Sequence, residues 1–218
     1  MDQRQFEIVV LKPTAVFLSF LASQLPEHDL PSLKTLHTDN TAYVISKQNS
    51  DEATLYEIEK HFSTMFRHEI CRWLGANARN EIEVSFLDFL CCFKFELHSH
   101  IILMEPEITH GHHILNIKPR TMLLKWIKSA VEDEEDLVTI MDRVHLSQLV
   151  ENSTVIVKNF TNLKEIKPFL KKYYKPIFEM AMSRMSNQSS EWPVVDTFQS
   201  FCQYFTVEIH TQLIYLHQ

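Results

Sequence analysis

Two acidic residues, each followed two positions later by a histidine, are the residues of this sequence best suited to acid–base chemistry. Glu96 precedes His98, and Glu208 precedes His210. A carboxylate beside an imidazole can hold or transfer a proton near neutral pH. If the pairs meet, they form a symmetric interface site. The competing interpretation is a structural polar position, because residues two apart on a helix do not face each other.

A second group of possible ligands is the segment His110-Gly-His-His113, which supplies three imidazoles. It has no carboxylate or cysteine at ligand spacing and no helical HExxH pattern, so we interpret it as a polar linker and predict no metal site. Cys71, Cys91, Cys92 and Cys202 contain no CxxC pair, which indicates neither a zinc finger nor a disulfide framework. We predict no catalytic residue and no cofactor, and therefore a protein that is not an enzyme.

Lysines are concentrated in one stretch of the second half. Residues 158 to 175 hold six lysines against one acid, whereas residues 46 to 63 hold two lysines against four acids. On a helix, four of the lysines would form one stripe opposite Ile166, Leu170, Tyr173 and Ile177. The stripe is either a solvated helix face or a site for an acidic partner. Its members are Lys164, Lys167, Lys171 and Lys175.

The sequence resembles itself at two offsets. At an offset of 106, residues 7–21 lie over residues 113–127, and the Lys-Pro pair at 12–13 recurs at 118–119. At an offset of 112, residues 85–102 lie over residues 197–214, and both Glu–His pairs coincide. The order of the matched blocks is preserved, which predicts a tandem duplication rather than a chance match of amphipathic segments. We expect a first repeat at 1–106, a linker at 107–112 and a second repeat at 113–218, which could form one intertwined domain.

The pattern of apolar residues predicts a mixed α/β (α+β) fold with two pseudo-symmetric halves of roughly β-α-β-α-α. Asp51 to Leu74 is the clearest helix, with Ser50 as its N-cap and Gly75 at its C-cap. Proline residues 168 and 176 predict that the matching helix of the second half is broken. The other predicted elements are strands at 6–11, 41–46, 114–117 and 153–158, and helices at 14–24 and 121–131.

The last block of each half has an ambiguous pattern. Phe93, Phe95 and Leu97 alternate as in a strand, but Phe86, Phe89 and Phe93 share a helical face. Neither 81–104 nor 193–217 contains an internal residue that would break a helix, so we predict a long helix in each. Whether the two halves share one sheet is left open by the sequence.

Composition limits the possible functions. The 218 residues carry a net charge of −7 and include only two glycines, which argues against nucleic-acid binding and against a glycine-rich phosphate loop. The first residues lead into an apolar stretch that is too short for a signal sequence or membrane span. We therefore expect a cytoplasmic protein with protein partners and no direct membrane insertion.

In size, acidity and mixed composition, the chain resembles the small cytosolic adaptor or chaperone subunits of bacterial type IV secretion coupling complexes. The acidic run Glu132 to Asp136 and the stretch Lys158 to Lys175 are the local features that carry this resemblance. No motif transfers, so no residue role is carried over. The resemblance implies a complex subunit that binds effectors or other subunits. We predict a non-enzymatic adaptor that binds an acidic or amphipathic segment, with a small enzyme or ligand sensor at the pseudo-twofold interface as the alternative.

Overall fold

Helices and strands follow the same order in the two halves of the chain. The computed structural model describes residues 6–25, 29–75, 83–104, 112–131, 153–186 and 189–216. The first half contains β1 (Phe6–Pro13), α1 (Ala15–Gln24), α2 (Leu33–Leu36), β2 (Thr41–Ser46), α3 (Asp51–Leu74), α4 (Phe86–Cys92), β3 (Phe93–His98) and β4 (Ile101–Leu103). The second half contains β5 (His113–Pro119), α5 (Thr121–Val131), β6 (Thr154–Lys158), α6 (Ile166–Met182), α7 (Phe198–Tyr204), β7 (Phe205–His210) and β8 (Gln212–Tyr215). The predicted mixed α/β class is confirmed.

Local sequence signals explain where the main helices begin and end. The Ser50 hydroxyl accepts a hydrogen bond from the Ala53 N–H at the start of α3, and Gly75 follows its last turn with a φ of 84°. Thr14 caps α1 in the same way after the Lys-Pro that ends β1. Except for the helix of the second half that contains two prolines, the strands and helices predicted before the last block of each half are confirmed, with bounds that differ by a few residues.

The prediction of one long helix in the last block of each half is wrong. A capping box between Ser85 and Asp88 begins α4, and the chain passes directly from helix to strand at Phe93 without a glycine or proline. Thr197 and Ser200 repeat this arrangement before β7. The strand conformation is favoured because β3 and β7 each complete a ladder beside β1 and β5, a tertiary interaction that helix periodicity does not reveal.

The prediction of a broken helix in the second half is also wrong. Helix α6 is continuous over 17 residues and follows a 3₁₀ turn at Leu163–Glu165. Pro168 lies in its first turn, where the missing N–H has no helical partner to lose. Pro176 lies inside the helix and is exposed. Burial of one apolar face, including Leu170 and Ile177, outweighs the local cost of that proline.

Each half contributes its last strand to the sheet of the other half. One sheet has the order β3-β1-β2-β8 and the other the order β4-β6-β5-β7. The pairings within a half are antiparallel, whereas β8 pairs with β2 and β4 pairs with β6 in parallel. Asp39 accepts hydrogen bonds from the backbone and hydroxyl of Thr211, which holds the entry to β8. The halves therefore have separate sheets that are linked by exchanged strands.

The two sheets face each other and carry helices on their outer sides. Alternate residues of β1 divide accordingly: Val9 and Leu11 pack against the helices, while Ile8 and Val10 pack against the opposite sheet. The same alternation occurs in β5 and β6. This gives a helix–sheet–sheet–helix arrangement with three apolar layers.

The register between the first strand of each half and the strand that follows its short helix repeats to the residue. Ile8 pairs with His98 in the first sheet, and Ile114, at the 106-residue offset, pairs with His210 in the second. The order of elements and the exchanged strands repeat as well. A gene duplication would account for this symmetry, and that origin stays a prediction.

The acidic run 132–136 and the helical-looking stretch 137–149 lie outside the described residues.

Candidate functional site

A cluster of polar side chains lies between the two sheets at their pseudo-twofold axis. The inner faces of the strands are apolar at one end, around Ile8 and Ile114, and become polar toward the Lys-Pro pairs that end β1 and β5. Because β3 and β7 pair with these strands, their alternate residues reach the same region. The inter-sheet polar cluster consists of Lys12, Glu96, His98, Asn116, Lys118, Ser153, Glu208 and His210.

Two lysines bridge the two glutamates of this cluster. Lys118 Nζ lies 2.7 Å from an Oε2 of both Glu96 and Glu208. Lys12 Nζ lies 2.8 Å from Glu208 Oε2 and 3.8 Å from Glu96 Oε2. The fold thus brings the two predicted Glu–His pairs together. Their glutamates form ion pairs with one lysine from each half, so the charges of the four side chains balance. Sequence reasoning missed these lysines, although the identical recurrence of Lys-Pro was the signal that could have found them.

The lysines keep both glutamates ionised. Burial alone would raise the pKa of Glu96, but the neighbouring ammonium groups of Lys12 and Lys118 outweigh burial and lower that pKa to about 2. Burial opposes the hydrogen bonds from both lysines at Glu208 too, and its pKa is also lowered. A carboxylate held this firmly ionised is a poor proton donor and a weak base near neutral pH.

The two histidines have different surroundings. His98 is fully buried, and its Nδ1 lies 3.3 Å from Ser153 Oγ while its Nε2 lies 3.2 Å from Asn116 Nδ2. Ser153 donates to Asn116 Oδ1 at 2.6 Å. These contacts fit a ring that carries a hydrogen on Nδ1 and accepts from the asparagine amide on Nε2. His98 is therefore a hydrogen-bonded structural side chain.

His210 has no equivalent partners. Val10 occupies the position that corresponds to Asn116, and neither ring nitrogen of His210 has a hydrogen-bond partner among the residues that the structure describes. Its Nε2 lies 3.8 Å from Glu208 Oε2, and the side chain is 1% exposed. Burial, followed by the charge of Lys12, lowers the pKa of His210 to about 4, so the imidazole is neutral at pH 7. Its burial also prevents a substrate from reaching it unless the sheets separate.

The predicted lysine stripe is present on the surface of the second half. We call Lys164, Lys167, Lys171 and Lys175 the lysine face; Lys164 lies in the 3₁₀ turn and the others lie on α6. All four are exposed, while Ile166, Leu170 and Ile177 on the other side of the helix are buried. Tyr173 is half-buried and packs against the Phe169 ring. None of the four lysine side chains has an ion pair or hydrogen bond with another described residue.

The corresponding helix of the first half has the opposite polarity. Asp51, Glu52 and Glu59 are exposed on α3. Glu57 is buried and pairs with Lys60 at 2.9 Å. The charge difference predicted from the sequence therefore lies on exposed surfaces of equivalent helices.

A groove that sequence reasoning missed begins at the end of the lysine face. Its volume is about 850 Å³, and it lies between the second part of α6 and the segment 189–196. Val194 on its rim is 77% exposed. The apolar run Trp192-Pro-Val-Val195, which precedes α7 in a loop, was the signal that could have found it. The groove is lined by Lys175, Pro176, Phe178, Glu179, Met180, Ser183, Ser189, Ser190, Trp192, Pro193, Val194, Val195 and Asp196.

The histidine segment at the junction is only partly described. His112 is buried, and His113 Nδ1 accepts a hydrogen bond from the Phe160 N–H at 3.4 Å, while positions 110 and 111 lie outside the described residues. Within the described part of the chain, no three histidine, cysteine or acidic side chains are grouped so that they could hold a metal ion. All four cysteines are free.

Comparison of the chain with protein-family models, characterised proteins and solved structures finds no match. Among the helices of the described residues, none is both long enough and apolar enough to span a membrane.

Proposed function

We propose that this protein is a non-enzymatic adaptor or secretion chaperone of the cytoplasm that binds an acidic segment of a partner protein on its lysine face. The observation that carries the proposal is the row of four exposed lysines without side-chain partners among the described residues, on a chain whose net charge is −7. A local positive surface on an acidic protein gives directional attraction, because the rest of the surface repels the same ligand.

The dimensions of the lysine face suit a short linear segment. Lys164 and Lys175 are eleven positions apart, which corresponds to about 16 Å along a helix. An extended peptide covers that distance with about five residues. Since the four ammonium groups have no ion pairs with described residues, a carboxylate-rich segment would not have to displace such pairs. The attraction is that of exposed charges and weakens with salt.

The inter-sheet polar cluster supports a structural interpretation over the enzyme alternative. Its two lysines and two glutamates balance in charge. His210 is buried and neutral at pH 7, and His98 is buried and hydrogen-bonded. A small-molecule site that used the two histidines would require the sheets to open, because both rings are buried. The finer proposal, a subunit of a type IV secretion coupling complex, rests only on the resemblance in overall character.

The test reverses the lysine face and compares it with an equal charge change elsewhere. The variant Lys164→Glu, Lys167→Glu, Lys171→Glu, Lys175→Glu should lose binding of a fluorescein-labelled polyglutamate peptide and capture of native partners. We expect at least about a tenfold weaker affinity at low salt, because four attractive charges become repulsive.

The matched control reverses four other exposed lysines, at positions 34, 47, 125 and 128. It alters the net charge equally, so it should bind the peptide within about threefold of the unaltered protein if the attraction is local. Equal loss in both variants would show attraction by net charge alone and contradict the proposal. Circular dichroism confirms that both variants are folded.

A further inference from the structure

We propose that the groove beside the lysine face binds a large apolar side chain of the same partner segment, so that the recognised chemistry is an acidic run joined to aromatic or large aliphatic residues. This inference rests on the proposed function, because the lysine face supplies the charge complementarity that selects the occupant. The lysines select acidic segments, and the groove selects those acidic segments that also carry a large apolar side chain.

The groove and the lysine face are continuous along α6. Lys171 and Lys175 lead by steps of four residues to Glu179, and Lys172 leads in the same way to Pro176 and Met180. Lys175 belongs to both surfaces, since it also lines the groove. A segment whose carboxylates contact the lysines therefore brings its next residues over the groove.

The walls of the groove are held in position by internal contacts. Trp192 Nε1 donates to the Ser186 carbonyl at 3.2 Å, and the Tyr174 hydroxyl donates to the Asp196 carbonyl at 2.5 Å. The rings of Phe178 and Trp192 meet edge to face, with centroids 6.4 Å apart. These contacts tie the loop 189–196 to α6 and to the residues that follow it, so little ordering is needed when a ligand enters.

The lining of the groove favours an uncharged apolar side chain. Phe178, Trp192 and Val194 supply apolar surface, and the volume of about 850 Å³ lies within the usual range for ligand pockets and exceeds that of one aromatic ring. Glu179 and Asp196 also line it and repel a carboxylate that enters the groove itself. The acidic part of the segment therefore lies on the lysines and the apolar part lies in the groove.

The experiment measures fluorescence anisotropy with three labelled peptides. One has four glutamates followed by two phenylalanines, the second has the reverse order, and the third has serines in place of the phenylalanines. At least one phenylalanine peptide should bind the protein about tenfold more tightly than the serine peptide, because it places apolar surface in the groove.

Val194→Asp should remove that gain while leaving the affinity for the serine peptide within about threefold. Val194→Ser, a smaller change, should reduce the gain partly. The matched control is Leu87→Asp, which alters a similarly exposed side chain on α4 of the other half and should keep the gain. Circular dichroism spectra of the three variants exclude unfolding as the cause.

The outcomes separate the two proposals. Equal affinity for all three peptides, with loss in the lysine-reversal variant, would overturn the groove assignment and leave the lysine face in place. Failure of every peptide to bind would overturn both. If light scattering shows a dimer that Val194→Asp dissociates, the groove is a contact between copies of this chain and the present assignment is wrong.

Discussion

The two buried histidines of the inter-sheet polar cluster show how one substitution between matched positions changes the state of a side chain. Asn116 and Ser153 satisfy the ring of His98. At the position that corresponds to Asn116 the first half has Val10, and no described residue forms a hydrogen bond with the ring of His210. A buried polar group without a partner is destabilising, and a buried charge is more so.

We predict that His210 makes the protein less stable in mild acid. Its pKa is lowered to about 4 in the folded state, so between pH 6.5 and 4 the unfolded chain binds a proton that the folded protein does not. Stability therefore decreases as the pH falls through this window, by about 2 kcal/mol between pH 7.5 and 5 from this group alone. Burial lowers the pKa of His100 and His113 as well, and these add a change of the same sign.

Urea unfolding at pH 7.5 and 5 tests this prediction in His210→Gln. The variant should lose a smaller part of its free energy of unfolding between the two pH values than the unaltered protein loses. Gln203→Asn, which changes an exposed uncharged side chain, serves as the control and should leave the pH dependence unchanged. An unchanged pH dependence in His210→Gln would show that another group determines it.

At the scale of elements, the exchanged strands connect parts of the chain that are far apart in sequence. Strand β8 pairs with β2 through Gln212 and Leu213, which lie beside Thr41 and Ala42. Leu213 is buried among inner-face residues of both sheets, whereas Gln212 is exposed. The last strand of the second half therefore stabilises the first sheet.

We predict that Leu213→Asp, a change in the second half of the sequence, destabilises the sheet of the first half. An aspartate at this buried position should lower the free energy of unfolding by about 3 kcal/mol or more, since a charge replaces packed apolar surface. Hydrogen exchange followed by mass spectrometry should show faster exchange in β2. Gln212→Asp is the neighbouring control and should change β2 little; equal protection of β2 in both variants would contradict the assigned pairing.

For the whole molecule, the facing sheets make the two halves mutually dependent. The inner layer combines residues from both sheets, including Ile8, Val44, Ile114 and Val155. The ion pairs of the inter-sheet polar cluster use one lysine and one glutamate from each half. A separate half would expose its inner apolar face and lack one strand of its sheet. Both deficits oppose independent folding.

We predict that fragments 1–111 and 112–218 are not folded monomers but assemble when mixed. Circular dichroism and size-exclusion chromatography with light scattering should show unfolded or self-associated fragments separately and a folded one-to-one complex together. The intact chain, denatured and refolded in the same way, is the control. A stable, folded monomer of either fragment would contradict the role of the exchanged strands.

Local patterns were sufficient for most elements and for part of the candidate site. Helix α3 was predictable because Ser50, the apolar stripe and Gly75 act within a few residues of one another. The lysine face was predictable for the same reason, since helical spacing alone places its members together. The two Glu–His pairs could be recognised as related because they recur at one offset.

The tertiary structure decided the features that depend on distant partners. Phe93 to His98 has both helical and strand periodicity, and its pairing with β1 selects the strand. The charge of Lys12 and Lys118 acquires its role only when the sheets face each other, and the groove forms only where segment 189–196 packs on α6. Sequence alone thus determined the local elements and the symmetry of their pattern, because those interactions span neighbouring residues. The exchange of strands, the ion pairs between the halves and the groove arise from long-range packing, which periodicity does not encode.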